Sequence, residues 1–214
     1  MPLRLIEISR VDDRWQLKIN TNTKEKTAKY CALSYCWDPL QSTSFRLRVN
    51  TLDTLKINIH WTQLSKTIQD AVTTTYELSM RYLWADSFCI LQYNEEDKAH
   101  EISLMPQIYG QATVTIVASR SEASDAGYLH SRPKLCESFQ IPFRSSAGEL
   151  GFVYLLEAKE AHNYYKSEPL DLRAWAMQER LLSPRVLEFG TSQTRWKRRE
   201  NTAGHSDGWI SGTG

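Results

Sequence analysis

The sequence predicts an α/β domain with a mainly parallel central sheet, flanking helices and added β hairpins at both ends. Compact apolar runs at residues 30–37, 82–86 and 112–118 are typical of strands buried on both faces of a sheet. The amphipathic segment 64–80 lies between the first two runs and continues directly into the second. Strand, helix and strand in that order are the pattern of a parallel sheet.

The first sixty residues predict two small hairpins. Residues 3–8 and 15–19 are short apolar strands on either side of the turn-prone pair Asp12-Asp13. Residues 21–29 are polar and predict a loop. Residues 47–49 and 55–57 predict a second hairpin, because two short apolar segments flank a polar turn.

Two helices follow from periodicity. In the segment 64–80, apolar residues repeat at helical spacing and Ser65 is a candidate N-cap. A second helix is predicted over residues 97–110. Pro106 is expected to kink or divide it, because an interior proline costs about 3 kcal/mol or more.

The remainder of the chain is less regular. Residues 119–133 predict a loop, residues 139–143 and 152–155 predict strands, and a helix is expected around residues 174–181. Residues 186–189 and 194–197 predict a closing hairpin that turns at Gly190-Thr191-Ser192. We therefore predict one domain over residues 1–200, with its core at 30–197, and a flexible tail over residues 201–214.

Composition excludes several classes of protein. The chain of 214 residues has 26 basic and 25 acidic side chains, so its formal charge of +1 predicts neither a nucleic-acid surface nor an anionic-membrane surface. No apolar run is long enough to predict a membrane span, and the N-terminus lacks the apolar core of a signal peptide. We expect a cytoplasmic protein.

The cysteines point to a reducing compartment and to no metal site. They form no CxxC pair, and none has a histidine at zinc-ligand spacing. Apolar residues surround three of them, as expected of buried free thiols. The four cysteines are Cys31, Cys36, Cys89 and Cys136.

The common motifs of nucleotide-binding folds, kinases, zinc proteases and serine hydrolases are absent from the sequence. Candidate binding residues are therefore chosen by position, because ligands of open α/β sheets lie beyond the carboxyl ends of the strands. Two predicted strands end in polar or aromatic side chains, which makes these residues candidates for substrate binding: Ser34, Tyr35, Trp37, Asp86 and Ser87. Alternatively, Asp86 is a turn cap and the tryptophans Trp37 and Trp84 belong to the core.

Glu101 is the candidate catalytic carboxylate. In a helix over residues 97–110 it shares a stripe with Leu104, Met105 and Ile108, the face expected to pack on the sheet. A carboxylate placed there loses solvation, which raises its pKa. The alternative is that Glu101, like the acids that precede it, only complements the positive end of the helix.

A thiol hydrolase is a further alternative. Cys36 or Cys89 would act as the nucleophile and His100 as the base. Nothing near His100 in the sequence orients it for that role.

Six blocks lie in a fixed order along the chain: YCALSYCW (30–37), LSKTIQDA (64–71), RYLWADSFCI (81–90), DKAHEISLMPQIY (97–109), ATVTIVAS (112–119) and RAWAMQERLLSPRVLEFG (173–190). Each block alone is weak. Their order and spacing together resemble the fungal heterokaryon incompatibility domain, the HET domain, over most of residues 30–197. Asp38 stands where that family usually has Gly, Ser65 where it has Pro, and Lys98 where Trp is frequent.

The resemblance implies a role in non-self recognition and regulated cell death between incompatible fungal strains, a form of innate immunity. HET domains are regarded as distant relatives of TIR domains, which have a flavodoxin-like parallel sheet. Some TIR domains cleave NAD⁺ at the nicotinamide–ribose bond with one helical glutamate, and by this analogy Glu101 is that residue. NAD⁺ is then a substrate, and no cofactor is implied.

Two functions are consistent with the resemblance. In the first, the domain is an NAD⁺ nucleosidase that becomes active when it self-associates. In the second, it is a non-catalytic module that oligomerises and signals death through an allelic or NOD-like receptor partner.

Overall fold

The computed structural model describes most of the chain, namely residues 2–21, 28–37, 45–132, 138–146, 148–156, 168–199 and 201–206. These residues divide into two compact units, a subdivision that the sequence does not predict. One unit comprises residues 1–129 and 168–214, and the other comprises residues 130–167. Asp38 and Cys136 lie outside the described residues.

Eight strands form one sheet in the larger unit, and their bounds follow. They are β1 (Leu5–Val11), β2 (Arg14–Asn20), β3 (Tyr30–Ser34), β4 (Tyr82–Trp84), β5 (Val114–Val117), β8 (Arg185–Phe189), β9 (Thr194–Arg198) and β10 (Asn201–Ser206). The order across the sheet is β10-β9-β8-β5-β3-β4-β1-β2. β6 (Ser138–Arg144) and β7 (Leu150–Leu156) form an antiparallel hairpin that belongs to the smaller unit.

The centre of the sheet is parallel and its edges are antiparallel. β3 pairs in parallel with both β4 and β5, and β5 pairs in parallel with β8. The β1–β2 hairpin extends one edge through β4, and β9 and β10 extend the other edge beyond β8. The predicted parallel core and the predicted first and last hairpins are thus confirmed.

Helices cover both faces of this parallel core. They are α1 (Val49–Ile57), α2 (Lys66–Glu77), the single turn α3 (Asp86–Cys89), α4 (Glu95–Gln111) and α5 (Ala174–Leu182). Alternate residues of a strand point to opposite faces, so Cys31 and Leu33 pack in one core with Leu55 of α1 and Ile68 of α2. Residues on the other face of β3 pack with α4, as Tyr30 and Ala32 do with Ile108 and Tyr109.

The predicted hairpin at 47–57 is wrong, because the segment forms α1. Its apolar residues are consistent with a strand, but within α1 only Leu55 is buried, while Leu52 packs at the edge of the same core. These two residues are three positions apart and so share one helical face. Val49 and Ile57 are 65% and 81% exposed, which a buried strand pair would not allow.

Two further predictions differ from the structure. Pro106 does not divide α4, which runs unbroken for 17 residues. The carbonyl that loses its partner at Pro106 belongs to Ile102, whose residue is 43% exposed, so water can replace the missing bond. The predicted flexible tail includes β10, whose residues pair with β9, and residues 207–214 lie outside the described residues.

Candidate functional site

A cavity of about 230 Å³ opens beside the carboxyl ends of β3 and β4. Its walls come from the segments after these two strands, from one stripe of α4, and from the turn that leads into α5. Most of the lining is apolar or aromatic, the usual character of a small-molecule site. The lining residues are Leu33, Tyr35, Trp37, Asp86, Ile90, Gln92, Lys98, Ile102, Met105, Tyr109, Leu170, Arg173, Trp175, Ala176 and Glu179.

A hydrogen-bonded network joins the two strand ends at this cavity. The Trp37 Nε1–H donates to the Tyr35 hydroxyl at 2.5 Å and to Asp86 Oδ1 at 3.0 Å. The Tyr35 hydroxyl donates in turn to Ser87 Oγ at 2.9 Å. The Ser87 backbone N–H also donates to Asp86 Oδ1, at 2.8 Å, so the acid accepts a hydrogen bond from an amide in the first turn of α3. The network holds the indole of Trp37 in one orientation at the cavity wall.

Asp86 lines the cavity and also accepts a hydrogen bond from the Ser87 amide of α3. Burial raises the pKa of its carboxyl, and the bonds from the Ser87 amide and Trp37 and the charge of Arg173 offset only part of that rise. This side chain therefore has structural partners and also faces the cavity.

Glu179 of α5 is the second acid of the cavity, and sequence reasoning missed it. Its carboxylate accepts a hydrogen bond from the Ser34 hydroxyl at the end of β3. Burial raises the pKa of Glu179, and the negative charge of Asp86 raises it further, while the Ser34 bond, Tyr109 and Arg173 oppose the rise. The Tyr109 hydroxyl donates to the Leu33 carbonyl oxygen at 3.1 Å, which places this ring against the same strand end.

Two basic side chains complete the polar lining. Arg173 precedes α5, and its guanidinium donates to the Trp37 carbonyl oxygen at 3.1 Å. Its positive charge lowers the pKa of both Asp86 and Glu179. Lys98 comes from the first turns of α4.

Glu101 does not line this cavity. It is 0% exposed, and it lies beside Asp97 and Arg4, whose guanidinium is 3.9 Å from Glu101 Oε1. Burial raises the pKa of Glu101, an effect that Arg4 opposes and Asp97 reinforces. The expected burial and pKa rise are thus found, but the expected proximity to Trp37 and Asp86 in one cleft is not.

Arg4 and Asp97 explain why Glu101 turns this way. Arg4 donates to Asp97 Oδ2 at 2.5 Å and to the Cys89 carbonyl oxygen at 2.6 Å. The same Asp97 oxygen accepts from the Leu91 N–H at 2.9 Å, and the Asp97 N–H donates to the Asn94 cap. β1, the turn before α4 and the first turn of α4 are therefore locked together, and this fixes the rotation of the helix.

The predicted substrate-binding residues thus fall into two groups. Tyr35, Trp37 and Asp86 line the cavity. Ser34 and Ser87 lie behind it and orient Glu179 and Tyr35. The side chains that the sequence did not point to are Lys98, Tyr109, Arg173, Trp175 and Glu179. The one available signal for Glu179 was its place inside the last block of the family resemblance, RAWAMQERLLSPRVLEFG.

The structure gives no support to a thiol hydrolase. Cys36 and Cys89 are buried, and burial raises the pKa of Cys89 to about 12 and that of Cys36 above its usual value. A thiol in such surroundings does not form the thiolate that acts as a nucleophile. His100 is exposed on α4, and the structure records no bond between its ring and a cysteine.

The described residues contain neither a candidate metal site nor a helix that could span a membrane. In the ranges given above, no group of three or more His, Cys, Asp or Glu side chains is placed to hold a metal ion. No helix within those ranges combines the length and the apolar character that crossing a membrane requires.

Comparison with known proteins gives one match. A model of the family described as heterokaryon incompatibility protein (HET) matches residues 30–179, well over half of the 214-residue chain. The matched region contains every residue that lines the cavity. No curated protein and no solved structure matches the chain. The chain belongs to the heterokaryon incompatibility (HET) family.

Proposed function

We propose that this chain is a cell-death effector domain that hydrolyses NAD⁺ at the nicotinamide–ribose bond, with Glu179 as the catalytic carboxylate. Membership of the HET family indicates a role in heterokaryon incompatibility. The single observation that carries the chemical part of the proposal is the placement of Glu179. It is a carboxylate of raised pKa in an aromatic cavity at the carboxyl edge of the sheet.

The strand order supports the analogy with TIR domains. Numbered along the chain, the parallel strands β4, β3, β5 and β8 lie in the order 2-1-3-4. The flavodoxin-like order is 2-1-3-4-5, and proteins with it bind ligands where the order reverses, at the first and third strands. The cavity lies beyond the end of β3, which is the first strand of this series.

The shape of the cavity suits one end of a dinucleotide. Pockets that bury a drug-sized ligand have volumes of about 300–1,000 Å³, and this cavity is smaller, at about 230 Å³. Trp37, Trp175 and Tyr109 present rings on which a nicotinamide can stack. The remainder of NAD⁺ would extend out of the opening.

The reaction needs little from the protein, because the cationic nicotinamide is already a good leaving group. The bond between ribose C1′ and the ring nitrogen breaks, and both of its electrons leave with nicotinamide, which becomes neutral. The Glu179 carboxylate stabilises the oxocarbenium-like ribose, as a glycosidase carboxylate does. Water adds to C1′, and Glu179 accepts its proton; the raised pKa suits this role.

The placement of Glu101 removes it from this chemistry. A carboxylate that is fully buried beside Arg4 and does not line the cavity does not reach a substrate held by Trp37 and Asp86. We therefore assign the role that the TIR analogy gives to one helical glutamate to Glu179 in place of Glu101.

The test is nicotinamide release from NAD⁺ by the purified chain, dilute and at crowding concentrations that favour self-association. Loss of a group that stabilises the transition state or transfers a proton costs about 10²–10⁴-fold in rate. Glu179→Gln is therefore expected to lower turnover by at least about 100-fold. Glu96→Gln, which removes an exposed acid from α4, is the matched control and is expected to leave turnover unchanged.

The outcome that overturns the assignment is equally specific. If Glu179→Gln folds like the unaltered chain and retains its turnover, Glu179 is not the catalytic group. If the unaltered chain releases no nicotinamide in any assembled state, the enzymatic proposal is wrong.

A non-catalytic interaction module is the second candidate, and one observation favours it. The turn before α5 and α5 itself carry exposed apolar side chains: Leu172 is 84% exposed, Trp175 61%, Met177 64% and Leu181 63%. Exposed apolar surfaces of this kind mark interaction sites. Death signalling that survives Glu179→Gln but not Met177→Asp together with Leu181→Asp would support this candidate.

A further inference from the structure

Lys98 is the feature of the cavity that the proposed chemistry does not use. It lies in the first turns of α4, it is half-buried, and its side chain lines the cavity with Arg173, Asp86 and Glu179. Within the described part of the chain, no acidic side chain forms an ion pair with its ammonium group.

The other charged side chains of the cavity already have hydrogen-bond partners. The Arg173 guanidinium donates to the Trp37 carbonyl oxygen. Asp86 accepts hydrogen bonds from Trp37 and Ser87, and Glu179 accepts one from Ser34. Within the described residues, Lys98 is therefore the charged side chain of the lining for which the structure records no side-chain partner.

An ammonium group beside an aromatic cavity is a recognition element for an anion attached to a ring-bearing ligand. Lysine binds phosphate as a compact point charge with three donors. We infer that Lys98 makes this cavity selective for phosphorylated nucleosides, by binding the phosphate next to the ribose, over nucleosides that lack it. The inference deepens the proposed function and rests on it for the identity of the ring and the sugar.

The inference is tested by binding, separately from turnover. Adenosine diphosphate ribose, the product of the proposed reaction, and inorganic pyrophosphate are titrated into the full chain. Binding is followed by the fluorescence of Trp37 and Trp175, both of which line the cavity. Nicotinamide riboside, which has the ring and the ribose but no phosphate, is the comparison ligand.

Lys98→Gln is expected to weaken binding of adenosine diphosphate ribose and pyrophosphate by about 10-fold or more, the loss typical of a hydrogen bond to a charged group. It should leave the affinity for nicotinamide riboside unchanged. Lys98→Arg should retain phosphate binding. Lys29→Gln is the matched control, because Lys29 is exposed just before β3, at the opposite end of that strand from the cavity.

Either of two results would overturn the inference. One is that adenosine diphosphate ribose binds equally well to Lys98→Gln and to the unaltered chain, and the other is that neither phosphate probe binds the unaltered chain. The failure of the proposed function looks different: no nicotinamide is released, while the phosphate probes still bind in a Lys98-dependent way. Turnover of NAD⁺ with binding independent of Lys98 would leave the function standing and remove only this inference.

Discussion

Two glutamates, one half-buried and one fully buried, lie on neighbouring helices of this protein in opposite surroundings. Glu179 of α5 shares the cavity with Asp86, Arg173 and aromatic rings, while Glu101 of α4 is enclosed with Arg4 and Asp97 beside β1. Burial raises the pKa of both. A raised pKa therefore shows only that an acid has lost solvation. Whether the acid lines a cavity decides whether it can contact a ligand or only joins two elements of the fold.

Two neighbouring stripes of α4 show the same contrast. One stripe, formed by Lys98, Ile102, Met105 and Tyr109, lines the cavity at helical spacing. The next stripe places Asp97 and Glu101 against Arg4. Arg4, Asp97 and Glu101 thus form a structural cluster whose members do not line the candidate site.

The largest effect is expected when the structural cluster is broken. Arg4→Ala leaves Asp97 and Glu101 without their cation, and an unpaired buried charge costs about 3–5 kcal/mol of unfolding free energy. Urea denaturation at neutral pH measures this loss. Arg14→Ala removes an exposed arginine of β2 and is expected to change stability by less than about 0.5 kcal/mol. A cost below about 1 kcal/mol for Arg4→Ala would show that the cluster does not hold α4 in place.

A smaller loss is expected at the cavity. Trp37→Phe keeps a ring at the wall but removes the N–H that serves Asp86 and Tyr35. An unsatisfied buried acceptor costs about 1–3 kcal/mol. The control is Trp175→Phe, which removes the same group from a ring that is 61% exposed. Equal denaturation midpoints for the two variants would mean that the network adds no stability.

The smallest effect is a change in pH dependence. Because the pKa of Glu101 is raised in the folded state, its contribution to stability is complete below its unfolded value of 4.5 and is lost as the pH rises through the folded value. Glu101→Gln should remove this loss, so the variant gains stability relative to the unaltered chain as the pH rises above 4.5. Thermal melts at intervals of about one pH unit, from about pH 4 to about pH 8, measure the difference in stability between the variant and the unaltered chain.

The same variant tests the comparison from the functional side. Glu101→Gln is expected to keep nicotinamide release, because the residue does not line the cavity. A loss of turnover in Glu101→Gln as large as that in Glu179→Gln, with the fold intact, would reverse the roles of the two glutamates.

The local sequence pattern was sufficient to predict much of the fold. Strand β3, helix α2 and the hairpins β1–β2 and β8–β9 all lie where apolar periodicity and turn residues predict them. It failed for α1, because short apolar segments are compatible with either state until the residues that they pack against are known. It also failed for β10, whose polar residues are ordered by pairing with β9.

The site was less predictable than the fold. The strand-end rule found Tyr35, Trp37 and Asp86, because parallel strands end at one edge of a sheet. It could not find Glu179, whose bond to Ser34 spans 145 positions of the chain. Such a contact depends on the order of the strands, which no local pattern contains.

The sequence by itself thus determined that this protein has a parallel core, that its strand ends carry candidate binding residues and that Glu101 is buried. The tertiary structure decided what Glu101 is buried against and which carboxylate faces the cavity. Helical spacing specifies which residues share a stripe, whereas the rotation of the helix against its neighbours depends on distant contacts. Here the decisive contact is that of Arg4 with Asp97, 93 positions along the chain. It turns Glu101 towards β1 and leaves the cavity to Glu179.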